Sequence, residues 1–530
     1  MLHWVVLMPI MAAVVSYILP SEKAGKIFAV AVQALLTCCT FYIFFLCKEG
    51  DIIARIGNFQ GHLGITLKAD SLSSVFIILT SFIFSIAALY CFNEGFDRLF
   101  WLLLLIWEGL LFGVFLACDF FNIFILMEVI TVLVSIMIMY KRDNRSMYDG
   151  IIYLMANVVA VQFYLFGIGY MYKLTGVFDM DAASQALGSL DKASQLLPYA
   201  LIMTFVGLKC ALMPLFSWLP KAHGTPGVPP AISAILSGLH IKSGVYLLIR
   251  FQAVFQELNL QEFFLAAGII TGIAGFILAI SQTDIKLILA YHTISQIGMT
   301  MIGLNIPGLY PWAGSMYHVI NHAFFKSGLF LSAGVVAHAY GTRDLYKIRG
   351  VLRRSPLVGT GIIMAVLGIT GAPFFNGSVS KYFIVSGANW IVNGSMILIN
   401  LGTTISFIKY STMLFGRHER GQGDIKADIC QQAAVLIMGV LCLAGGIFGE
   451  QAIKFLFNIN VKVDAAGYLQ KNVLFFISAA AGYLIFRFYV KKSKLLKRIR
   501  AIDLGFRGIC VCIGIFFALI MLYGWVTLGA

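Results

Sequence analysis

Long apolar runs recur along almost the whole chain, and they limit its possible folds more than any other feature. Runs of about 18–25 apolar residues can cross a hydrocarbon core of about 30 Å as helices, which satisfy their own backbone hydrogen bonds. The approximate cores of these runs are 3–20, 27–47, 71–92, 99–117, 119–140, 149–172, 196–216, 230–251, 262–281, 285–304, 311–338, 356–385, 392–415, 431–448, 472–490 and 508–528. Of the 530 residues, 60% are hydrophobic and 12% are charged, which excludes an ordinary soluble domain. The sequence predicts an all-α, polytopic membrane protein.

The distribution of basic residues predicts the orientation of the chain. The formal net charge is +14. With the N-terminus outside, the densest clusters of Lys and Arg, at 343–354 and 491–507, both lie in the cytoplasm, as do Arg417, Arg420 and Lys426. The excess charge therefore indicates topology rather than a nucleic-acid partner. We expect a multi-pass protein of a bacterial or archaeal inner membrane, whose first run is a retained helix because no basic cluster precedes it.

Cofactor and metal motifs are missing from the sequence. The ten cysteines include no C-x-x-C pair, and most lie inside apolar runs, where a cysteine acts as a small hydrophobic residue. The chain also has no glycine-rich nucleotide fingerprint and no Walker motif. We expect no cofactor and no metal site, so the chain alone has neither a redox nor an ATP energy source.

Several lysines interrupt the apolar runs, where an ionisable group costs about 2.5–3.5 kcal/mol to insert. The ordinary alternative is a residue near a helix end whose charged head reaches the interface. Arg487 fits that alternative because it lies close to Lys491, and for Lys409 the two interpretations stay open. Four lysines lie deeper and are candidate functional residues: Lys209, Lys242, Lys326 and Lys381.

Glu128 is the acidic counterpart of these lysines and lies well inside its apolar run. A buried carboxylate needs a partner or a proton, and a lysine on another helix is the obvious partner. Burial and pairing act in opposite directions on the proton affinity of both groups, so a pair that forms and opens would bind and release protons. Glu108 is a second buried acid for which a structural role is equally open.

The eleventh run carries His318, His322 and Lys326 at spacings that place them on one helical face. Imidazoles exchange protons near neutral pH, so this face predicts a proton relay. The alternative is a His-x3-His metal pair, which the neighbouring cation and the lack of an evident third ligand disfavour. His292 and His240 are weaker members of the set, because a lone buried histidine is commonly just hydrogen-bonded.

Two of the runs are expected to be broken helices. Pro214 and Pro220 follow Lys209, and the segment "GITGAPFFNGSVSKYF" places glycines and a proline before Lys381. Such residues free backbone groups that lipid cannot satisfy, so a broken helix should face protein or a hydrated interior. Paired interruptions in two halves of a chain are typical of transporter repeats.

Sequence offsets between buried polar residues support a repeat. Three pairs are separated by nearly the same number of residues: Glu128 and His292, Lys209 and Lys381, and Lys242 and Lys409. We therefore predict two five-helix units, 99–251 and 262–415, with opposite orientations because each has an odd number of helices. Residues 1–98 would supply three further helices before the units, and residues 416–530 the C-terminal helices after them.

The segments that carry these residues resemble a known family. They are "CDFFNIFILME", "GLKCALMPLFSWLPKAHGTPGVPPAISAILSGLHIKSGVYLLIR", "QTDIKLILAYHTISQIG" and "HAFFKSGLFLSAG". They resemble the antiporter-like subunits shared by complex I, Mrp-type cation/proton antiporters and membrane-bound hydrogenases, and most closely the Mrp D subunit. The resemblance covers about residues 70–415.

The resemblance implies a core of fourteen helices with two inverted repeats, in which helices 7 and 12 are discontinuous. It implies that Glu128 and Lys209 form an entrance-side ion pair and that Lys242 leads to the middle of the membrane. His318, His322 and Lys326, with His292, would continue a central polar axis, and Lys381 would be the exit-side lysine. Two further helices joined by "KKSKLLKRIR" depart from the largest complex I member, which has a long lateral helix instead.

The leading hypothesis is a proton-translocating subunit of a larger membrane complex, and Na⁺/H⁺ exchange stays open. Its partners would be other membrane subunits of an Mrp-like, hydrogenase-like or complex I-like assembly. The sequence leaves open whether that assembly is a redox enzyme or a gradient-driven antiporter. Two alternatives remain, namely a stand-alone secondary transporter for an organic solute and an inactive scaffold subunit.

Overall fold

The computed structural model describes residues 1–56, 64–416 and 427–529. Arg417, Arg420 and Lys426, which the charge argument assigned to the cytoplasmic side, lie outside the described residues. The elements in chain order are α1 (Leu2–Ile18), α2 (Glu22–Cys47), β1 (Ile52–Ile56), β2 (Ile65–Ala69), α3 (Ser71–Cys91), α4 (Arg98–Leu116), α5 (Phe120–Ile138), α6 (Asn144–Thr175), α7 (Met180–Leu187), α8 (Lys192–Lys209), α9 (Trp218–Gly224), α10 (Pro230–Ile235), α11 (Ile241–Val254), α12 (Gln261–Ser281), α13 (Ile285–Leu304), α14 (Leu309–Tyr340), α15 (Val351–Arg354), α16 (Pro356–Thr370), α17 (Asn376–Ile384), α18 (Trp390–Ser411), α19 (Ile429–Ile447), α20 (Gly449–Phe457), α21 (Ala465–Ile485), α22 (Lys494–Arg500) and α23 (Phe506–Leu528). A π-helical turn, Leu236–His240, joins α10 to α11, and another, Phe486–Val490, follows α21.

The predicted fold class is confirmed, because the chain is built from apolar helices of membrane-spanning length. Among the described residues, 13 helices are long and apolar enough to cross a membrane. The three remaining predicted runs contain α1, α8 and α16. Of these, α8 and α16 end early because their runs are interrupted, as the proline and glycine pattern predicts.

Aspartates begin many of the helices. An aspartate at the position before the first helical turn accepts hydrogen bonds from backbone N–H groups that have no partner within the helix. The capping residues are Asp70, Asp97, Asp119, Asp143, Asp179, Asp191, Asp284, Asp428 and Asp464. These nine aspartates therefore fix where their helices start.

The chain divides into two compact units. The first comprises Met1–Val228, Leu239–Leu260 and Leu504–Ala530, and the second comprises Pro229–Gly238 and Gln261–Asp503. In the first unit β1 and β2 form an antiparallel hairpin in which Ile52 lies opposite Ala69. The pattern of apolar runs does not predict this hairpin or the short helices α7, α20 and α22, because these elements are shorter or more polar than a membrane span.

Each unit contains the same backbone bridge. In the first unit Asp119 pairs with Asp179, and the N–H of Phe120 donates to the carbonyl of Phe178 at 3.0 Å. In the second unit Asp284 pairs with Asp344. There the N–H of Ile285 donates to the carbonyl of Arg343, also at 3.0 Å. In both cases a capping aspartate at the start of a spanning helix is tied to a segment further along the chain.

Candidate functional site

The first helix break follows Lys209 directly. Helix α8 ends at this residue, and the chain then runs irregularly to Trp218, where α9 begins. Ala211 in the break has a φ of 51°. The indole Nε1 of Trp218 donates to the carbonyl of Leu208 at 2.8 Å, which joins the start of α9 to the end of α8. The proline-rich segment thus places a lysine at the end of a helix inside the protein.

Neutral oxygen atoms hold the ammonium group of Lys209. The side chain is 1% exposed, and its Nζ donates to Asn157 Oδ1 at 2.7 Å and to Thr131 Oγ1 at 3.1 Å. The ring of Phe205 lies 5.5 Å from Nζ. Thr131 belongs to α5 and Asn157 to α6, so two neighbouring helices supply the acceptors.

Glu128 lies three residues before Thr131 on α5, and positions three apart are neighbours on a helix surface. Its carboxylate acts electrostatically on Lys209, but no salt bridge joins the two within the described ranges. Its Oε2 is buried and has no hydrogen-bond partner among the described residues. The structure therefore brings the predicted partners into one region and leaves the pair open.

Other buried polar residues of the first unit have well-defined positions. His240 Nε2 lies 3.2 Å from Tyr153 Oη, and the imidazole ring packs edge-on against Trp107. The amide Nε2 of Gln33 donates to a carboxylate oxygen of Glu108, which is fully buried. Lys242 lies on α11 and is also completely buried.

The second helix break precedes Lys381. Helix α16 ends at Thr370, Gly371 has a φ of 80°, and α17 begins at Asn376. Lys381 donates from Nζ to the carbonyl of Ile369 at 2.7 Å, in the last turn of α16. The buried lysine therefore satisfies a carbonyl at the end of the broken helix.

A cavity of about 320 Å³, with several polar residues in its wall, adjoins Lys381. Helix α21, one of the C-terminal helices, supplies part of its wall, including Lys471. Lys471 Nζ lies 3.5 Å from the carbonyl oxygen of Lys381 and 3.4 Å from that of Tyr382. The other polar residues of the wall are Thr370, Ser378, Asn393, Asn400, Thr404, Tyr468, Gln470, Asn472 and Ser478.

The predicted histidine face is present on α14. The rings of His318 and His322 lie 6.3 Å apart, and His318 Nδ1 is 3.1 Å from Ser380 Oγ on α17. Ser380 precedes Lys381, so the face extends to the helix that carries the second broken-helix lysine. Lys326 instead donates from Nζ to the carbonyl of Leu289 on α13, at 2.6 Å.

His292 lies among three lysines of the second unit. Lys326, Lys381 and Lys409 all act on it electrostatically, and its ring is 4.8 Å from that of Phe407. The side chain is completely buried, and neither ring nitrogen has a hydrogen-bond partner in the described part of the chain. A buried imidazole with both nitrogens unsatisfied is unusual for a purely structural histidine.

The sequence does not predict a role for three neutral polar residues and one further lysine of the site. Thr131, Asn157 and Ser380 hold or adjoin the candidate groups, and Lys471 faces the cavity. Asn157 carries the clearest sequence signal, because an amide inside a long apolar run needs a buried partner. Thr131 and Ser380 carry little sequence signal, because hydroxyl groups in helices commonly donate to carbonyls of the preceding turn.

Possible metal ligands can be compared with the positions of His318 and His322. Residues 1–56, 64–416 and 427–529 contain no group of three or more His, Cys, Asp or Glu side chains that could hold a metal ion. His318 and His322 thus have the spacing of a metal pair but lack a third ligand of this kind.

Comparisons with known proteins identify the family. The family described as "NADH:quinone oxidoreductase/Mrp antiporter, TM" matches residues 117–408, more than half of the chain. The chain belongs to this family. The match confirms the resemblance inferred from the motifs and spans Glu128, all four deep lysines and the histidines.

Curated relatives and solved structures agree with this assignment. The chain is 29% identical over 412 residues to the D subunit of a Na⁺/H⁺ antiporter of Alkalihalophilus pseudofirmus, covering 75% of this chain and 83% of the relative. It is 28% identical over 424 residues to the N subunit of an NADH-quinone oxidoreductase of Desulforudis audaxviator, covering 74% and 83%. A chain of the Mrp complex from a Dietzia species has the same fold, with a TM-score of 0.80 at 21% identity, covering 89% of this chain and 99% of that one. A chain of an archaeal membrane-bound sulfane sulfur reductase also gives 0.80, at 20% identity, covering 91% and 99%.

Proposed function

We propose that this chain is a proton-translocating subunit of a multisubunit membrane complex. Its relatives are named as subunits of a Na⁺/H⁺ antiporter and of a quinone oxidoreductase, and similar folds occur in an Mrp complex and a respiratory membrane complex. The observation that carries the proposal is the open pair of Glu128 and Lys209, because a buried lysine with two acceptor sets can move its charge between them.

The switch has two positions in this proposal. In one position, Lys209 donates to Thr131 and Asn157, and Glu128 has no salt-bridge partner. In the other, Lys209 pairs with Glu128 and gives up the neutral acceptors. The charge that neighbouring groups experience differs between the positions, so their proton affinities differ too. Lys242, on α11, is the next group that this change would affect.

The second unit would carry the proton onward. His292, His318, His322 and Lys326 form the proposed central part of the path, and Lys381 is the proposed exit group. Two observations support the exit assignment. Lys381 adjoins a cavity with several polar residues in its wall, and among the described residues its ammonium donates to one backbone carbonyl, which a proton-transfer group can leave easily.

We also propose that residues 99–251 and 262–415 are inverted repeats, flanked by 1–98 and 416–530. The matching backbone bridges support this proposal, since Asp119 and Asp179 correspond to Asp284 and Asp344. The two helix breaks support it as well, because each places a lysine at an interruption.

The decisive test replaces Lys209 by Ala in the assembled complex, reconstituted in liposomes with a pH-sensitive dye inside. We expect proton transport to fall to background while subunit composition stays unchanged. Lys173→Ala is the matched control, because Lys173 is an exposed lysine near the end of α6. Normal transport in an assembled Lys209→Ala complex would refute the proposal and leave an inactive scaffold as the function.

The host complex is identified by the subunits that accompany the chain. Purification in mild detergent, followed by mass spectrometry, shows whether the co-purified subunits are those of a redox complex or those of an antiporter. Iron–sulfur or hydrogenase-like subunits would make the chain part of a redox-driven pump. Small hydrophobic subunits with other antiporter-like chains would make it part of a gradient-driven exchanger. Solute transport by the chain alone would instead indicate a stand-alone transporter.

A further inference from the structure

A second cavity of the second unit, unrelated to Lys381, has a strongly basic wall. It measures about 500 Å³ and lies where several spanning helices end. The end of α12, the segment after α14, the end of α18 and helix α22 all contribute. Five basic side chains and one acidic side chain, Asp344, line it, and the basic ones are Arg349, Lys409, Lys491, Lys497 and Arg500.

Three of these cations donate to backbone carbonyls. Arg500 donates from Nε to the carbonyl of Ser281 at 2.8 Å, and Arg349 donates from Nη1 to that of Ile348 at 2.8 Å. Lys409 donates to the carbonyls at the end of α12. None of the five takes part in a salt bridge with a carboxylate that the structure describes. Five cations around one cavity, with a single carboxylate among them, attract an anion of more than one charge or with several oxygen atoms.

The wall also has an apolar part, and exposed apolar side chains lie near it in sequence. Phe486, Val490 and Leu496 line the cavity and belong to the core of this unit. Beside them, Phe488 is 64% exposed and Leu495 is 57% exposed, and both adjoin basic residues. A basic recess next to exposed apolar side chains at the ends of spanning helices matches the two halves of a phospholipid, a charged headgroup and acyl chains.

We propose that this cavity binds the headgroup of an anionic phospholipid, with phosphate oxygens on Lys491, Lys497 and Arg500. The charge distribution places these residues on the predicted cytoplasmic side, where anionic lipids are attracted by basic clusters. The lipid fixes α22 against the neighbouring helix ends, because its headgroup neutralises the cations of α22 together with Lys409 of α18 and Arg349 after α14. This inference does not depend on proton transport.

The test uses the full chain with its accompanying subunits, delipidated in mild detergent. Phosphatidylglycerol and phosphatidylcholine are titrated separately, and bound lipid is counted by native mass spectrometry. We expect phosphatidylglycerol to bind at least about tenfold more tightly than phosphatidylcholine. Equal binding of the two lipids would overturn the proposal on the unmodified protein alone.

Two double variants locate the site. Lys491→Gln with Lys497→Gln removes two cations of the wall, and we expect phosphatidylglycerol affinity to fall about tenfold or more. Lys492→Gln with Lys494→Gln removes the same charge from exposed neighbours outside the wall, and we expect a change within about twofold. Equal losses in both variants would indicate a general surface charge effect and overturn the site. Displacement of the lipid by inorganic phosphate at similar concentrations would show a free-phosphate site instead.

Discussion

In the proposed switch, the buried ammonium of Lys209 is the group that changes partners. Its two acceptors are neutral, and its candidate counter-ion lies one helical step from Thr131 on the same helix. A buried lysine held only by neutral oxygens remains able to exchange partners, because no charge pairing fixes it. A permanently closed ion pair would be more costly to separate.

Thr131→Val should bias this switch toward Glu128, because it removes one neutral acceptor and keeps the side-chain shape. Losing a hydrogen bond to a charged group changes the free-energy difference between the two positions of Lys209 by about 1.5–3 kcal/mol. We therefore expect proton transport to slow at least about tenfold. Thr204→Val is the matched control. Thr204 is also buried and makes the same bond to the carbonyl four residues earlier, but no lysine donates to it. Equal transport by the two variants would contradict the assigned role of Thr131.

Asp119 caps α5 and lies just outside this membrane-spanning helix. We expect it to make the stability of the protein depend on pH. Burial raises the pKa of its carboxyl to about 6 from 3.8, although the backbone N–H of Asn122 opposes this shift. The folded state therefore binds the proton more tightly, so stability falls as pH rises from 4 to 6 and then levels off. Asp119→Asn keeps a good helix cap and removes the titration. We expect its apparent melting temperature to vary less with pH over this window than that of the unmodified protein. Parallel curves would refute this.

At the scale of elements, the sequence predicts the membrane spans and the helix breaks. The length of the apolar runs predicts the spans, and the prolines and glycines predict both breaks. Both predictions are possible because lipid cannot satisfy the free backbone groups of an interrupted helix. The sequence did not give the hairpin of β1 and β2 or the bridges at Asp119 and Asp284, which depend on contacts between distant segments. It also missed the neutral partners of Lys209, since Thr131 and Asn157 acquire their role only through helix packing.

Gly377 sets how closely the two halves of the second broken helix approach. A Cβ atom at this position would lie 2.0 Å from the carbonyl oxygen of Gly368, so α16 and α17 would have to separate. We expect Gly377→Ala to destabilise the protein by about 1–3 kcal/mol, seen as a lower melting temperature in detergent. Gly394→Ala on α18 is the control, because a Cβ there meets nothing within 4 Å. Similar melting temperatures for the two variants would show that the halves move apart freely.

At the scale of the whole molecule, the two units share a structural arrangement rather than a sequence. Each has a capping aspartate tied to a later segment and a lysine at a helix break, but the lysines are held differently. Lys209 has side-chain acceptors, and Lys381 has a backbone carbonyl and an adjoining cavity. The proposed path assigns the switching end to Lys209 and the releasing end to Lys381, and this difference fits that assignment.

A single path through both units predicts a distinctive pattern in double variants. If protons pass Lys209 and Lys381 in series, Lys209→Met and Lys381→Met should each reduce transport to background, and the double variant should be no worse. If each unit were a separate channel, each single variant would retain about half of the transport and the double variant none. Initial rates of dye-reported proton uptake by the reconstituted complex distinguish the two patterns. Lys173→Met and Lys454→Met, at exposed positions of α6 and α20, control for the loss of a lysine. Half-active single variants would refute the series path while leaving each unit as a proton-conducting element.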